Sequence, residues 1–524
     1  MQRRTLFGVT SALAMPALPL VTRAQSSSLL RFVPASDLSI LDPIVTSTYI
    51  TRNHGYMIFD QLYGQDDEFR AQPQMAAGHL VEEDGRRVTI RLREGLMFHD
   101  GEPVRARDCV ASIRRWAARD QLGQTILGIT DELSATSDRD IVFRLKRPFS
   151  LLFDALAKTS PPVAFMMPER IASADPNRAI TEMVGSGPFR FLAEERVPGS
   201  RNVYARFDRY VPCDGTASST AGPKIVHFER VEWRTIPDAS TAAAAIQTGE
   251  IDAWEYPATD LLPPLRRNRD ILVENPDPTG FIGLLRFNQL IPPFNDPAMR
   301  RALLSAIVQQ DYVRAVAGTD PAMWNTGIGF FPPASLMASD AGMEALTGSR
   351  DLAAARAALA PLAGQRVVLI GPADYPQVQA LTEVAADMLR RLGLNLDYRP
   401  TDWATVLQSR ANRGPVERGG WNLFCTFLSG LDVMNPGVNF LLRGHGGAAY
   451  AGWPTSAMLE ALREEWLAAP DLESQRTIAA RIQRQAFVDL PYIPLGQFFQ
   501  PTAWRRSVQG VLKGPSLFWN IRRA

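Results

Sequence analysis

The stretch LREGLMFHDGEPVRARD, Leu92 to Asp108, concentrates groups able to do chemistry. His99 stands beside Asp100, with Glu94, Glu102 and Asp108 nearby. A histidine next to a carboxylate is the usual pairing for general acid–base work, because the imidazole titrates near neutral pH. The same groups could also ligate a metal. The rest of the chain supports neither use. The five histidines, His54, His79, His99, His227 and His445, are dispersed, and none stands three to five residues from another His or Cys. Cys109, Cys213 and Cys425 fit no zinc spacing. The motifs H-E-x-x-H, G-x-S-x-G, G-x-x-x-x-G-K-[ST] and G-x-G-x-x-G are all missing. A secreted hydrolase would need a nucleophile, a base and oxyanion donors converging in a cleft, and no motif supplies that set.

The elements around His99 explain its position. Val88, Ile90 and Leu92 alternate with Arg87, Thr89 and Arg91, which predicts a half-buried strand. Asp100-Gly101 then reads as a turn, and Asp108 as the N-cap of a helix carrying Val110, Ile113, Trp116 and Ala117 on one face. Elsewhere, YMIFDQLYG (Tyr56–Gly64) predicts a helix closing on Gly64, and IVFRLKRPF a second alternating strand. TAAAAIQTGEIDAW predicts a helix, a glycine stop and a strand. VGSGPFRFL and the proline-rich run near Asn295-Asp296 mark joints, and the C-terminal half alternates helix and strand. The whole is an α/β pattern. Cys109 and Cys425 read as buried small hydrophobes and Cys213 as a loop residue, with a single disulfide left open.

At 524 residues the chain is long enough for two or three lobes with separate cores. Charged residues make up 21% and hydrophobic ones 46%, a globular balance. Only four of the 56 basic residues are lysine and the net charge is +1, with acids scattered among the bases. No basic field for nucleic acid is expected. The N-terminus carries Arg3-Arg4, an apolar run from Leu6 to Val21 and small residues ending at Ala24. That order predicts a secretory signal over residues 1–24, of twin-arginine or general type.

Several stretches, in order over nearly the whole mature length, resemble the family 5 extracellular solute-binding proteins, the dipeptide-, oligopeptide- and nickel-binding receptors of bacterial ABC importers. They are LDP (41–43), IFDQLYG, PQMAAG (73–78), VTIRLREGLMFHDGEPVRARDCVASIRR (88–115), GSGPFRF (185–191), AAAIQTGEIDA (243–253), FNQLIPPFNDPAMRRALLSAI (287–307) and DLPYIPL (489–495). The resemblance implies a two-lobed α/β hinged trap with an extra subdomain inserted in lobe one. Lobe one would hold 25–60, 185–282 and 495–524, the insert 61–184, and lobe two 283–494. It further implies a monomeric periplasmic receptor, not an enzyme. The receptor would use no cofactor or metal, capture a short peptide or peptide-like solute, and deliver it to a membrane permease. A glycoside, an opine or a nickel chelate is the alternative cargo.

The resemblance also nominates residues. In the dipeptide receptors an aspartate directly after a glycine binds the ligand's α-amino group. Here Gly430 is followed by Leu431, and Asp432 is the candidate one position on. Arg443 and Arg286 are candidates for a ligand carboxylate, since arginine offers a bidentate fork. Aromatic walls are expected from Trp254, Tyr256, Trp324, Trp421, Phe424 and Trp453, with Tyr49 reaching the cleft from the N-terminal segment. His54 and His445 would serve a nickel-complex reading.

Overall fold

The computed structural model describes residues 28–524. The secretory signal expected over residues 1–24 lies outside the described residues. Three larger sheets and two two-stranded ones organise the described residues.

The first is a seven-stranded mixed sheet. Its order is Ile271–Glu274, Thr502–Arg505, Ala253–Trp254, Leu29–Val33, Arg230–Arg234, Arg201–Arg206 and Phe189–Phe191. Leu29–Val33 lies parallel to both its neighbours, with Phe32 opposite Trp233 on one side and Ala253 on the other. Chain from the N-terminus, the middle and the C-terminus thus shares one core. The helix Ala239–Thr248 ends on Gly249 at φ 84°, the left-handed stop its sequence predicts.

The second sheet has six strands, in the order Trp324–Asn325, Tyr492–Phe498, Phe281–Phe287, Leu423–Ser429, Arg366–Pro372 and Asn395–Thr401. All seven residues of Phe281–Phe287 are buried. A strand with both faces covered has no need of alternation, which is why FIGLLRF is continuously apolar apart from Arg286.

The third sheet is antiparallel, in the order Ala76–Glu82, Arg87–Leu92, Asp140–Leu145 and Thr130–Ala135. Val88, Ile90 and Leu92 are buried in the same core as Cys109, Ile113 and Trp116 of the helix Ala106–Arg119.

Three expectations need correction. Tyr56–Gly64 is not a helix. The helix is Tyr49–Ile58, and the chain then turns into the strand Tyr63–Gln65. Asp108 is not the N-cap but sits inside the first turn. Its carboxylate accepts from the amides of Arg105 and Glu169, both at 2.8 Å, and so ties two helix starts together. The expected lobe boundaries at 282/283 and 494/495 both fall inside strands of the six-stranded sheet, because Phe281 and Phe498 pair there. The chain therefore passes between the large sheets at 275–280 and 499–501. These passages lie side by side. Gln497 donates to the Thr279 carbonyl at 2.7 Å, and the Gly430 amide to that of Gly280 at 2.7 Å.

His99, the group that first suggested catalysis, is a strut. Its Nε2 donates to the Gly187 carbonyl at 3.0 Å and its Nδ1 accepts from the Gly185 amide at 3.3 Å. Burial lowers its pKa to about 4, so the ring is neutral and holds the GSGPF loop against the small sheet. Asp100 is engaged by Arg170 at 2.8 Å. Cys109, Cys213 and Cys425 are all free thiols, the first and last buried and Cys213 half-buried.

Candidate ligand-binding site

The expected site residues separate into groups once placed. Tyr49 and Asp432, 383 positions apart, meet. The Tyr49 hydroxyl donates to Asp432 Oδ2 at 2.5 Å and accepts from the Ser429 amide at 2.7 Å. Tyr49 opens the helix Tyr49–Ile58, and Asp432 lies in the turn Gly430–Val433 that ends the strand Leu423–Ser429. Gly430 permits this turn because a Cβ there would stand 2.3 Å from the Thr279 carbonyl oxygen. Asp432 is buried and its Oδ1 has no hydrogen-bond partner. Burial raises its pKa to about 6, against the opposing pull of the Tyr49 bond and the Arg52 charge.

Tyr256 joins them through Phe281. That ring has Tyr49, Tyr256, Phe427 and Phe498 around it, with centroids 6.3, 5.6, 5.2 and 5.7 Å away. Tyr256 adopts φ 56°, an uncommon conformation for a bulky residue, held beside buried Glu255.

Arg52, which sequence reasoning missed, sits 5.0 Å from the Tyr49 ring centroid. It is buried, bonded only to Asn53 Oδ1 through Nε and Nη2, and its Nη1 has no partner. The signal was its place one helical turn after Tyr49.

The other candidates lie apart. Arg286 is fully buried, and carbonyl oxygens of Leu441, Tyr450, Ala451 and Pro491 take up its guanidinium at 2.8–3.4 Å. Burial lowers its pKa to about 10. Arg443 is paired with Glu460 at 3.1 Å and donates to Gln121 Oε1 at 3.2 Å. Trp421, Phe424 and Trp453 pack on one another in a separate core with Val368, Ile370 and Val406. Trp254 packs with Ala242, Ile246 and Leu265 behind the seven-stranded sheet. Trp324, half-buried, donates to the Gly318 carbonyl at 3.1 Å at the edge of the six-stranded sheet. His54 is buried on the Tyr204 hydroxyl at 2.8 Å, and burial drops its pKa to about 3. His445 stands near Glu460, far along the chain and in another setting.

Beside the Tyr49–Asp432 contact lies a cavity of about 330 Å³. Leu122, Leu151, Asp154 and Lys158 line it from the part of the chain that holds the four-stranded sheet. Leu336, Met337, Leu431, Met434, Trp466 and Leu472 line it from the part that holds the six-stranded sheet. Leu431 and Met434 flank Asp432, so the void begins within two residues of the unpartnered carboxylate oxygen. Two hydrogen bonds link the two sides nearby, Ser150 Oγ to the Ala469 carbonyl at 3.0 Å and Arg443 to Gln121 Oε1 at 3.2 Å. A partly open, mostly apolar cleft of this size with a few polar groups is suited to holding a small solute.

The sequence pattern of the bacterial extracellular solute-binding proteins, family 5, middle region, matches residues 70–432. The chain belongs to the family 5 solute-binding proteins. A relative in Sinorhizobium fredii, called "Probable peptide ABC transporter periplasmic-binding protein y4tO", is 33% identical over all of this chain and 99% of its own length. The glutathione-binding protein GsiB of Pectobacterium atrosepticum is 25% identical over 58% of this chain and 56% of its own length. Among solved structures, AgaA of A. tumefaciens R10 in complex with agropinic acid has a TM-score of 0.78 at 19% identity, covering 95% of this chain and 99% of that one. DppA of Helicobacter pylori with the peptide STSA has a TM-score of 0.78 at 19% identity, covering 94% and 98%. The family 5 fold, two lobes meeting over a ligand space, is the architecture seen here.

Proposed function

We propose that this chain is the ligand-capturing receptor of an ABC importer. Exported to the periplasm as a monomer, it closes two lobes on a short peptide or peptide-like solute and hands it to a membrane permease. The observation that carries this reading is the cavity of about 330 Å³ shared by both sides of the molecule. Its fit to a family whose full-length relative is called a peptide ABC transporter periplasmic-binding protein supplies the cargo class. Binding rather than turnover agrees with the environment of the one prominent His–Asp pair, which is committed to a loop contact. Residues 61–184 are read as a subdomain of lobe one that forms one jaw of the trap.

Within the site, Asp432 is proposed to accept the ligand's ammonium through Oδ1 while Tyr49 holds Oδ2. A charge-assisted bond of this kind contributes roughly 1.5–3 kcal/mol. An opine-like cargo is the second reading, favoured by the agropinic acid complex of a structural neighbour.

The test is a library of di- and tripeptides screened by calorimetry and melting shift. A ligand at 100 times its Kd should add about 2.7 kcal/mol of stability. No shift with any peptide, but a shift with agropinic acid, would overturn the peptide assignment and keep the receptor. Asp432→Ala should weaken free-amine peptides more than their N-acetylated forms, and equal losses would remove Asp432 from the amine role.

A further inference from the structure

We propose that the cavity between the lobes is a cation site, in which the carboxylate of Asp154 takes an ammonium or guanidinium group of the captured solute. This inference rests on the peptide-receptor reading and names the class of peptide.

Asp154 lies in the first turn of the helix Leu152–Ala157 and lines the cavity. It is exposed by surface area, yet burial raises its pKa. Both follow from a side chain that reaches solvent inside a partly open cleft between packed walls. The only opposing influences on the carboxyl are the backbone amides of Ala71 and of Asp154 itself, not a cation.

The cations that line the same cavity are already committed. Lys158, one helical turn on, places Nζ 2.9 Å from Asp120, 2.6 Å from the Ser160 carbonyl and 2.7 Å from that of Pro162. Arg70 is held by Asp66 at 3.2 Å and Glu68 at 3.0 Å. Asp471, a further acid on the lining, accepts from the Ser474 amide at 2.8 Å at the start of its helix. The lining holds two cations and two acids, but both cations are paired with acids outside it, which leaves Asp154 with no counter-charge.

Leu122, Leu151, Met337 and Trp466 line the same cavity. Lobe closure against these walls strips water from the carboxylate, which is costly unless a charge of opposite sign arrives with the solute. A lysine or arginine side chain brings that charge, and its aliphatic stem matches the apolar walls.

The experiment uses the mature full-length protein and alanine tripeptides. Lysine or its uncharged near-isostere norleucine stands at each position in turn, and each peptide is prepared with a free and an N-acetylated amine. Calorimetry should show lysine at one or more positions binding on the order of tenfold to a hundredfold tighter than norleucine at the same position. Asp154→Asn should abolish that preference while leaving the affinity of the norleucine partner within about twofold. The lysine pairs report on Asp154, and the acetylation pairs report separately on the terminus assigned to Asp432. No lysine preference in the wild type, or one that survives in Asp154→Asn, overturns the proposal and leaves the peptide reading intact. No binding by any peptide overturns both. Asp154→Ser is the second variant should the asparagine form melt early, and the wild-type pairs decide on their own if neither folds.

Discussion

Asp432 is the residue at which charge and burial conflict most directly. Its carboxyl has an ordinary pKa of 3.8 and is raised to about 6 in the fold, burial being the main cause. Between those values the folded state binds more protons than the unfolded chain, so stability falls as pH rises through this window. The loss is on the order of 3 kcal/mol and is complete above about pH 7. Asp432→Asn keeps the shape and cannot ionise. Denaturant unfolding from pH 4 to pH 8 should therefore show wild-type stability declining relative to Asp432→Asn, and parallel curves would contradict the assignment. Tyr49→Phe should act in the opposite sense with pH. It removes the donor to Asp432 Oδ2 and should cost about 1–3 kcal/mol at pH 8 and less at pH 4. Sequence reading reached Tyr49 and Asp432 because both lie in stretches with a recognisable order of residues. It did not reach Arg52 or Asp154, whose meaning depends on which neighbours lack a counter-charge. It also could not show that Arg286 would be enclosed by four carbonyls drawn from residues 441, 450, 451 and 491.

At the level of elements, the turn Gly430–Val433 fixes where Asp432 points. Its first residue has backbone on the far side. A Cβ on Gly430 would lie 2.3 Å from the Thr279 carbonyl oxygen and 2.8 Å from its carbon, neither of which can swing aside as a side chain would. Gly430→Ala should destabilise by roughly 1–3 kcal/mol and weaken ligand binding through displacement of Asp432. Gly78, on the exposed edge strand Ala76–Glu82, has nothing within 4 Å of the same added atom. Gly78→Ala should change stability by no more than about 0.5 kcal/mol, and calorimetric melting of the two variants makes the comparison. The strand–turn–helix unit from Arg87 to Arg119 was legible because alternation and helical period are local properties. The helix expected over Tyr56–Gly64 failed because its apolar residues serve the burial of a chain leaving a helix for a strand. Such tertiary packing mimics helical spacing over so short a run.

For the whole molecule, the α/β class was legible in the sequence, but the residues at which the chain leaves one large sheet for the other were not. A strand's sheet partner is set by chains hundreds of positions away, so 281–282 and 495–498 joined the six-stranded sheet rather than the seven-stranded one. The passages at 275–280 and 499–501 are the paired connections between the two large sheets, and a void of about 330 Å³ lies between the parts of the chain they join. The void opens to solvent on one side, so contacts from a bound solute to both walls would add to the few polar contacts across it, each worth about 1 kcal/mol. On the proposed receptor reading, the ligand-free protein should therefore be more open in solution. Small-angle scattering should show its radius of gyration contract on addition of saturating ligand. Leu336 lines the void and is itself 40% exposed, so a larger side chain there has room to enter. Leu336→Trp should bring the ligand-free radius of gyration toward the liganded value, hold or raise the ligand-free melting temperature, and lower affinity at least tenfold. Unchanged affinity in Leu336→Trp would mean that the solute does not occupy this cavity, and the closure argument would then have to move to another part of the interface.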